Sequence, residues 1–199
     1  MRLRRRSDAE RNREAIVTAF TELLASDGAD VPMYRVAQRA GIGQATLYRH
    51  FPDRAHLAMA VYEHRLDHVA QLTAVRAGDP RAFLELIQEF IVEETRTPGL
   101  LRVLRGGAEG ELYRRQLSGR GLELLAGPLR DAKAAGIVRG DLLLGDVQVV
   151  FAMMEGALQE ADESGRPQIA LRALELIVFG LAEANGSQRL PRSGSWTAK

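Results

Sequence analysis

Apolar residues recur three and four positions apart along most of the chain, the spacing that gives a helix one buried face, and the pattern predicts an all-α protein. Ser7 with Glu10 has the form of a capping box, and the helix it opens carries Ile16, Phe20, Leu23 and Leu24 on one face and ends near Asp27-Gly28. Asp30-Val31-Pro32 starts the next helix, with Pro32 in its first turn and Val36, Ala37 and Ala40 facing inward. Gly41 supplies a left-handed turn residue, Ile42 fills the corner, and a second short helix follows whose Leu47 and Phe51 point into the core together. Two short helices joined by a tight turn are the organising piece of the chain.

Pro52-Asp53 begins a long helix to about Ala74, with Leu57, Val61, Leu66 and Val69 apolar, spanning roughly 30 Å. Gly78-Asp79-Pro80 breaks the pattern and restarts it, with Asp79 as N-cap, and Phe83, Leu84, Ile87, Phe90 and Ile91 form an amphipathic helix to about Thr95. After Thr97-Pro98-Gly99 a short helix holds Leu100, Leu101, Val103 and Leu104. The Gly-rich, charged stretch from Arg105 to Gly121 reads as a mobile connection with a helical turn around Leu112 and Tyr113, and Leu122 to Ala135 is helical again, up to Gly136. Two last helices, about 145–163 and 167–184, are apolar over more than one face, so each must be covered on two sides. Either they form a central core, or they pack on their own domain and on the same pair from a second subunit. The tail 185–199, rich in Gly, Ser and Pro, is expected to be disordered, and its Trp196 has no assigned role.

The outward positions of the second short helix, Gln44, Ala45, Thr46, Tyr48, Arg49 and His50, carry groups that can read base edges or hold phosphate. The run Val-Ala-Gln-Arg-Ala-Gly-Ile-Gly-Gln-Ala-Thr-Leu-Tyr-Arg-His-Phe-Pro-Asp-Arg-Ala-His-Leu, residues 36–57, closely resembles the tetracycline-repressor (TetR) family, a likeness that covers roughly the first third of the chain. The resemblance implies an N-terminal three-helix DNA-binding domain (1–54, including a basic N-terminal arm) and a C-terminal helical domain for effector binding and dimerisation (55–184). It further implies Gln44, Ala45 and Arg49 toward bases, and Thr46, Tyr48, His50 and Arg54 toward phosphates. Two positions depart from the family pattern. No Ser or Thr stands near Pro32, which leaves Met33, Tyr34 or Arg35 to make contacts there, and Gly43 replaces a common Ser, with its amide still able to meet a phosphate. The implied partners are a palindromic double-stranded operator, a second copy of the chain through the last two helices, and a small effector. Phe83, Ile87, Phe90, Leu101, Leu104, Leu125, Phe151, Met154 and Glu155 are candidate wall residues for the effector, although each apolar one serves equally as ordinary core.

Composition sharpens this picture. The net charge is +1, but residues 1–56 carry ten Lys/Arg against seven Asp/Glu, +3, while the remainder is −2. Six Arg within residues 1–13 form a basic arm ahead of the first helix, suited to phosphates or a minor groove. No apolar run approaches a membrane span, the N-terminus lacks a signal-peptide core, and there is no cysteine, so a cytoplasmic protein without disulfides or thiolate metal sites is expected. His56, His64 and His68 make a stripe that can in principle hold zinc, but without accompanying metal-ligand spacing a solvated face is the favoured reading, and no metal or cofactor is expected. No P-loop, nucleophile elbow or dinucleotide loop is present, so the chain reads as a regulator and not an enzyme. The alternative is an α-helical small-molecule binding protein or enzyme that merely keeps the hairpin. Glu155, inside an apolar run, either lines a cavity, pairs with an arginine such as Arg102 or Arg130, or lies exposed on its helix.

Overall fold

The computed structural model describes residues 2–97, 99–106, 110–159 and 165–181. These form α1 (Arg2–Asp27), α2 (Met33–Arg39), α3 (Gln44–His50), α4 (Arg54–Val75), α5 (Ala82–Arg96), α6 (Leu100–Arg105), α7 (Gly110–Ala134), α8 (Leu144–Gln159) and α9 (Arg166–Leu181). No helix among the described residues is long and apolar enough to cross a membrane. Tail residues 185–199, with Trp196, lie outside the described residues, as does the stretch 160–164.

Two adjoining cores organise the bundle. The first gathers Ile16, Phe20, Leu23 and Leu24 of α1, Val36 and Ala37 of α2, Leu47 and Phe51 around α3, and Leu57, Val61 and Leu66 of α4. It also takes in Leu100 and Leu104 from α6 and Leu117 from α7. At about 25 cal/mol per Å² of apolar surface, each fully buried leucine from α6 contributes about 2–3 kcal/mol to joining that helix to the N-terminal module. The second core holds Val69 of α4, Phe83, Leu86, Ile87 and Ile91 of α5, Leu125, Leu129 and Ala132 of α7, and Val147, Met154, Leu158, Ala170 and Leu174 of α8 and α9. Helix α4 passes from one core to the other.

Several helix limits differ from those read off the residues. Helix α1 starts at Arg2, so Ser7 lies within it and the six arginines belong to a helix, not to an arm preceding one. Arg and Leu are good helix formers, and nothing before Gly28 (φ +76°) breaks the run. Pro32 is the N-cap of α2, just ahead of the first turn in which it was expected. At Gly78-Asp79-Pro80, Asp79 accepts from the Arg81 amide at 2.9 Å within a turn, and α5 begins only at Ala82. The largest correction concerns 105–121. From Gly110 onward this stretch is the first half of the 25-residue α7, not a mobile connection; residues 107–109 lie outside the described residues. Glycines in a helix cost about 1 kcal/mol each, but Leu117, Leu125 and Leu129 on one continuous helix reach both cores, and burial outweighs propensity. Pro128 stands inside α7, preceded by Gly127, whose missing Cβ avoids the clash that usually forces the residue before proline out of helical geometry.

The link between α5 and α6 is fitted to the N-terminal module at one glycine. Gly99 has φ +80°, and a Cβ there would lie 2.6 Å from the Cβ of Ala29. Gly99→Ala is therefore expected to lower stability by about 2 kcal/mol or more, whereas Gly119→Ala, in the interior of α7 with no heavy atom within 4 Å of the new Cβ, should raise it by about 0.5–1 kcal/mol. Urea unfolding at fixed protein concentration measures both.

Candidate nucleic-acid interface and cavity

The short helix α3 presents its outer side because its inner side is anchored. Gly43, extended at φ −72° and ψ 147°, is its N-cap, and the Gly43 carbonyl accepts from the Thr46 and Leu47 amides at 2.9 and 3.1 Å. Gly41 turns the chain between α2 and α3 with φ +68°, and the Ile42 amide closes the turn onto the Ala37 carbonyl at 3.0 Å. Leu47 is completely buried and Phe51 nearly so. The guanidinium of Arg13 lies 4.7 Å from the Phe51 ring centre, which ties α1 to the end of α3.

Fixing Leu47 inward places Gln44, Ala45, Tyr48 and Arg49 at the surface, with Thr46 and His50 half-buried beside them. Tyr48 is 49% exposed. Arg49 donates from Nη2 to Thr46 Oγ1 at 2.9 Å, which lays the guanidinium along the helix. Arg35 is ion-paired with Asp27 of α1, and Arg39 donates from Nε to Glu22 at 2.8 Å, so the two cations of α2 are steadied by two acids of α1. Arg54 does not project freely: its Nε and Nη2 are buried and meet no hydrogen-bond partner among the described residues. Of the three residues named for contacts at the start of α2, Met33 is buried while Tyr34 is 54% exposed. Met33, Val36 and Ala37 point inward and leave Tyr34 facing out.

Asp53 caps α4. It accepts from the His56 amide and lies within hydrogen-bond distance of His56 Nδ1, both at 2.9 Å. Partial burial works to raise the Asp53 pKa, but these contacts outweigh it and hold the carboxyl below its ordinary value. Of the other histidines in the stripe, His68 faces Glu89 at 3.6 Å.

A cavity of about 520 Å³ opens among α4, α5, α6, α7 and α8, lined on its apolar side by Phe90, Ile91, Leu101, Leu122, Phe151 and Met154. Phe90 and Phe151 meet with ring centres 5.2 Å apart at 56°. Of the residues expected on such a wall, Phe90, Leu101, Phe151, Met154 and Glu155 are there. Phe83, Ile87, Leu104 and Leu125 are not: each is fully buried among other side chains, Leu104 in the first core and the rest in the second. A helical repeat reports that a residue faces inward but not whether neighbours close over it. Tyr62 and Glu94 also line the cavity and were missed, because each sits on a mostly polar turn of its helix. Arg102 and Arg130, considered as partners for Glu155, form ion pairs with Asp30 (3.2 Å) and Asp131 (3.3 Å).

The family model for bacterial regulatory proteins of the tetR family matches residues 16–61. The nucleoid occlusion factor SlmA of Marinobacter nauticus is 34% identical over 138 residues, 65% of this chain and 70% of that protein. An HTH-type transcriptional regulator of Staphylococcus aureus (strain USA300) is 40% identical over 63 residues, which span only 34% of its length and 31% of this chain. Among solved structures, a TetR transcription regulatory protein from Mycobacterium vanbaalenii superposes with a TM-score of 0.62 at 29% identity, over 89% of this chain and 98% of that one.

The inner and outer sides of α3 should separate cleanly in stability. Leu47→Ala should cost about 2–5 kcal/mol, whereas Arg49→Ala, which removes only a surface contact, should stay within about 0.5 kcal/mol of the parent; thermal and urea unfolding of the two variants provide the comparison.

Proposed function

This chain belongs to the tetR family of bacterial DNA-binding transcriptional regulators, and from that premise we propose that it works in the cytoplasm as a homodimeric repressor that leaves a palindromic operator when a small molecule binds. The observation that carries the reading is the arrangement of α6. Its Leu100 and Leu104 sit in the core behind the DNA-facing helices while Leu101, between them, is on the cavity wall. A ligand that presses on Leu101 therefore acts on a helix built into the DNA-binding module.

At the DNA, Gln44, Ala45 and Arg49 meet base edges in the major groove, and the Gly43 amide, Thr46, Tyr48, His50, Arg35 and Arg54 meet phosphates. Arg54 reaches a phosphate only if its guanidinium, buried at Nε and Nη2 in the free chain, turns outward. Ala45 offers only a methyl and suits a thymine. Two recognition helices about 34 Å apart span successive major grooves.

The dimer is supported by the outward faces of α8 and α9. Val149 and Met153 on α8 and Ile169, Leu171 and Leu176 on α9 are exposed in the single chain, Met153 at 65% and Leu171 at 60%, while Met154, Leu158, Ala170 and Leu174 of the same helices are buried. The pair is thus apolar on two sides and covered on one.

Ligand binding releases DNA only to the extent that the ligand prefers the arrangement in which the two recognition helices are wrongly spaced, and each ~1.4 kcal/mol of preference gives tenfold. The primary experiment is fluorescence anisotropy on DNA from upstream of the gene against scrambled DNA at two salt concentrations. Saturable preference for one palindrome that survives the higher salt is expected; equal, salt-labile binding to both would reduce the interaction to phosphates alone and sink the reading. Arg49→Ala should weaken operator binding by about 1–3 kcal/mol, or roughly 5- to 150-fold, and Tyr48→Ala should weaken it too, with both variants still dimeric by light scattering. Met153→Glu with Leu171→Glu should instead produce a monomer that no longer holds two half-sites.

A further inference from the structure

The cavity wall carries few charges, and each is already answered. Among its described residues the charged side chains are Glu94, Arg115 and Glu155, and none of the three is without a partner. Glu94 accepts from Arg65 Nη1 at 3.4 Å, between side chains that are only 17% and 9% exposed. Arg65 also donates from Nη2 to the Glu93 carbonyl at 2.8 Å, and its Nε lies 3.7 Å from the Glu93 carboxylate. The rest of the described wall is uncharged. Phe90, Ile91, Leu101, Leu122, Phe151 and Met154 make its apolar side, while Tyr62, Ser118 and Gln148 bring a phenol, a hydroxyl and an amide.

We propose that this cavity takes an uncharged aromatic molecule with a hydroxyl or carbonyl at one edge, its ring against Phe90, Phe151 and Met154 and its polar edge at the Tyr62 hydroxyl. The proposal rests on the reading of the cavity as the effector site and specifies the chemistry of its occupant.

The charge follows from what the wall has to offer. An ionic head loses its water on entry and meets no spare counter-charge among the described wall residues. An ammonium gains Glu94 only by sharing it with Arg65, and a carboxylate gains Arg115 only by sharing it with the partner that Arg115 already has. Taking one member of a buried pair leaves the other poorly compensated, which is costly. An uncharged molecule leaves every one of these contacts intact.

The aromatic body and polar edge follow from the remaining groups. Phe90 and Phe151, tilted at 56° with ring centres 5.2 Å apart, offer a third ring the face of one and the edge of the other. The Met154 thioether is a soft, polarisable neighbour for the same ring. Tyr62 keeps its proton, because burial first and then Glu94 and Glu155 push its hydroxyl up to about 12 against the opposing Arg65. It therefore serves as a neutral donor or acceptor, the match for a hydroxyl or carbonyl. A volume of about 520 Å³ falls within the range of small-molecule sites.

The test uses four probes with one naphthyl body: naphthylethanol, ethylnaphthalene, naphthylethylammonium and naphthylacetate. Binding of each is measured by equilibrium dialysis against the full chain, against Tyr62→Phe, and against Ser118→Trp, which fills the cavity from α7. Both uncharged probes should bind the parent protein at least about tenfold more tightly than either ion. Tyr62→Phe should weaken the alcohol by about threefold or more and leave ethylnaphthalene unchanged. An ion that binds the parent as tightly as the alcohol, an alcohol indifferent to Tyr62→Phe, or no binding of either uncharged probe overturns the proposal. The cavity reading is judged separately. If Ser118→Trp blocks the bound probes but charge makes no difference, the cavity stands and the uncharged ligand falls, whereas probes that bind Ser118→Trp undiminished place the site elsewhere and overturn both.

Discussion

Leu100 and Leu104 are buried in a core otherwise built mostly from α1, α2, the residues around α3 and the start of the long helix α4. Removing α6 from that core would expose two leucines and leave a cavity where they were, so the position of α6 and the packing of the N-terminal module cannot vary independently. Gly99 sets how closely the two approach. It lies against Ala29 with no room for a side-chain carbon, and the Arg102–Asp30 ion pair at 3.2 Å spans the same seam. That exposed pair contributes little stability compared with the leucines. Its value is in register.

Helix α4 is the second connection, and it is held differently. Its first half contributes Leu57 and Val61 to the N-terminal core, Tyr62 to the cavity wall, and Arg65 to a buried ionic contact with the end of α5. The guanidinium of Arg65 also lies 6.0 Å from the Tyr62 ring centre. Buried ion pairs stabilise weakly against apolar alternatives, yet they are costly to break by removing one partner. The two connections are therefore held by different forces: α6 by apolar packing, and α4 by apolar packing together with a buried ionic contact.

The recognition module was readable from its residues because its constraints are local. A left-handed glycine at 41, an N-cap at 43 and inward residues at 47 and 51 lie within eleven positions of one another, and backbone sterics plus a four-residue repeat determine the hairpin whatever the rest of the chain does. The same logic explains which limits shifted. Ser7-x-x-Glu10 has capping form, but a cap signal does not stop a helix already running from Arg2. Residues 110–121 carry glycines that argue locally against a helix, and Leu117 overrides them by reaching a core whose other members are up to a hundred positions away.

What the amino-acid sequence determined by itself was the all-α class, the helix-turn-helix with its outward Gln44, Tyr48 and Arg49, and the two-sided apolar character of the last helices. These follow from periodicity and short-range backbone preference, which act over one or two turns. Only the tertiary structure decided that α7 is continuous, that α6 belongs to the N-terminal core, and that Phe90 and Phe151 face a cavity while Phe83 and Leu125 are enclosed. Each of those depends on which side chains from distant helices fill the space opposite a given apolar face, and periodicity along one helix holds no information about its neighbours.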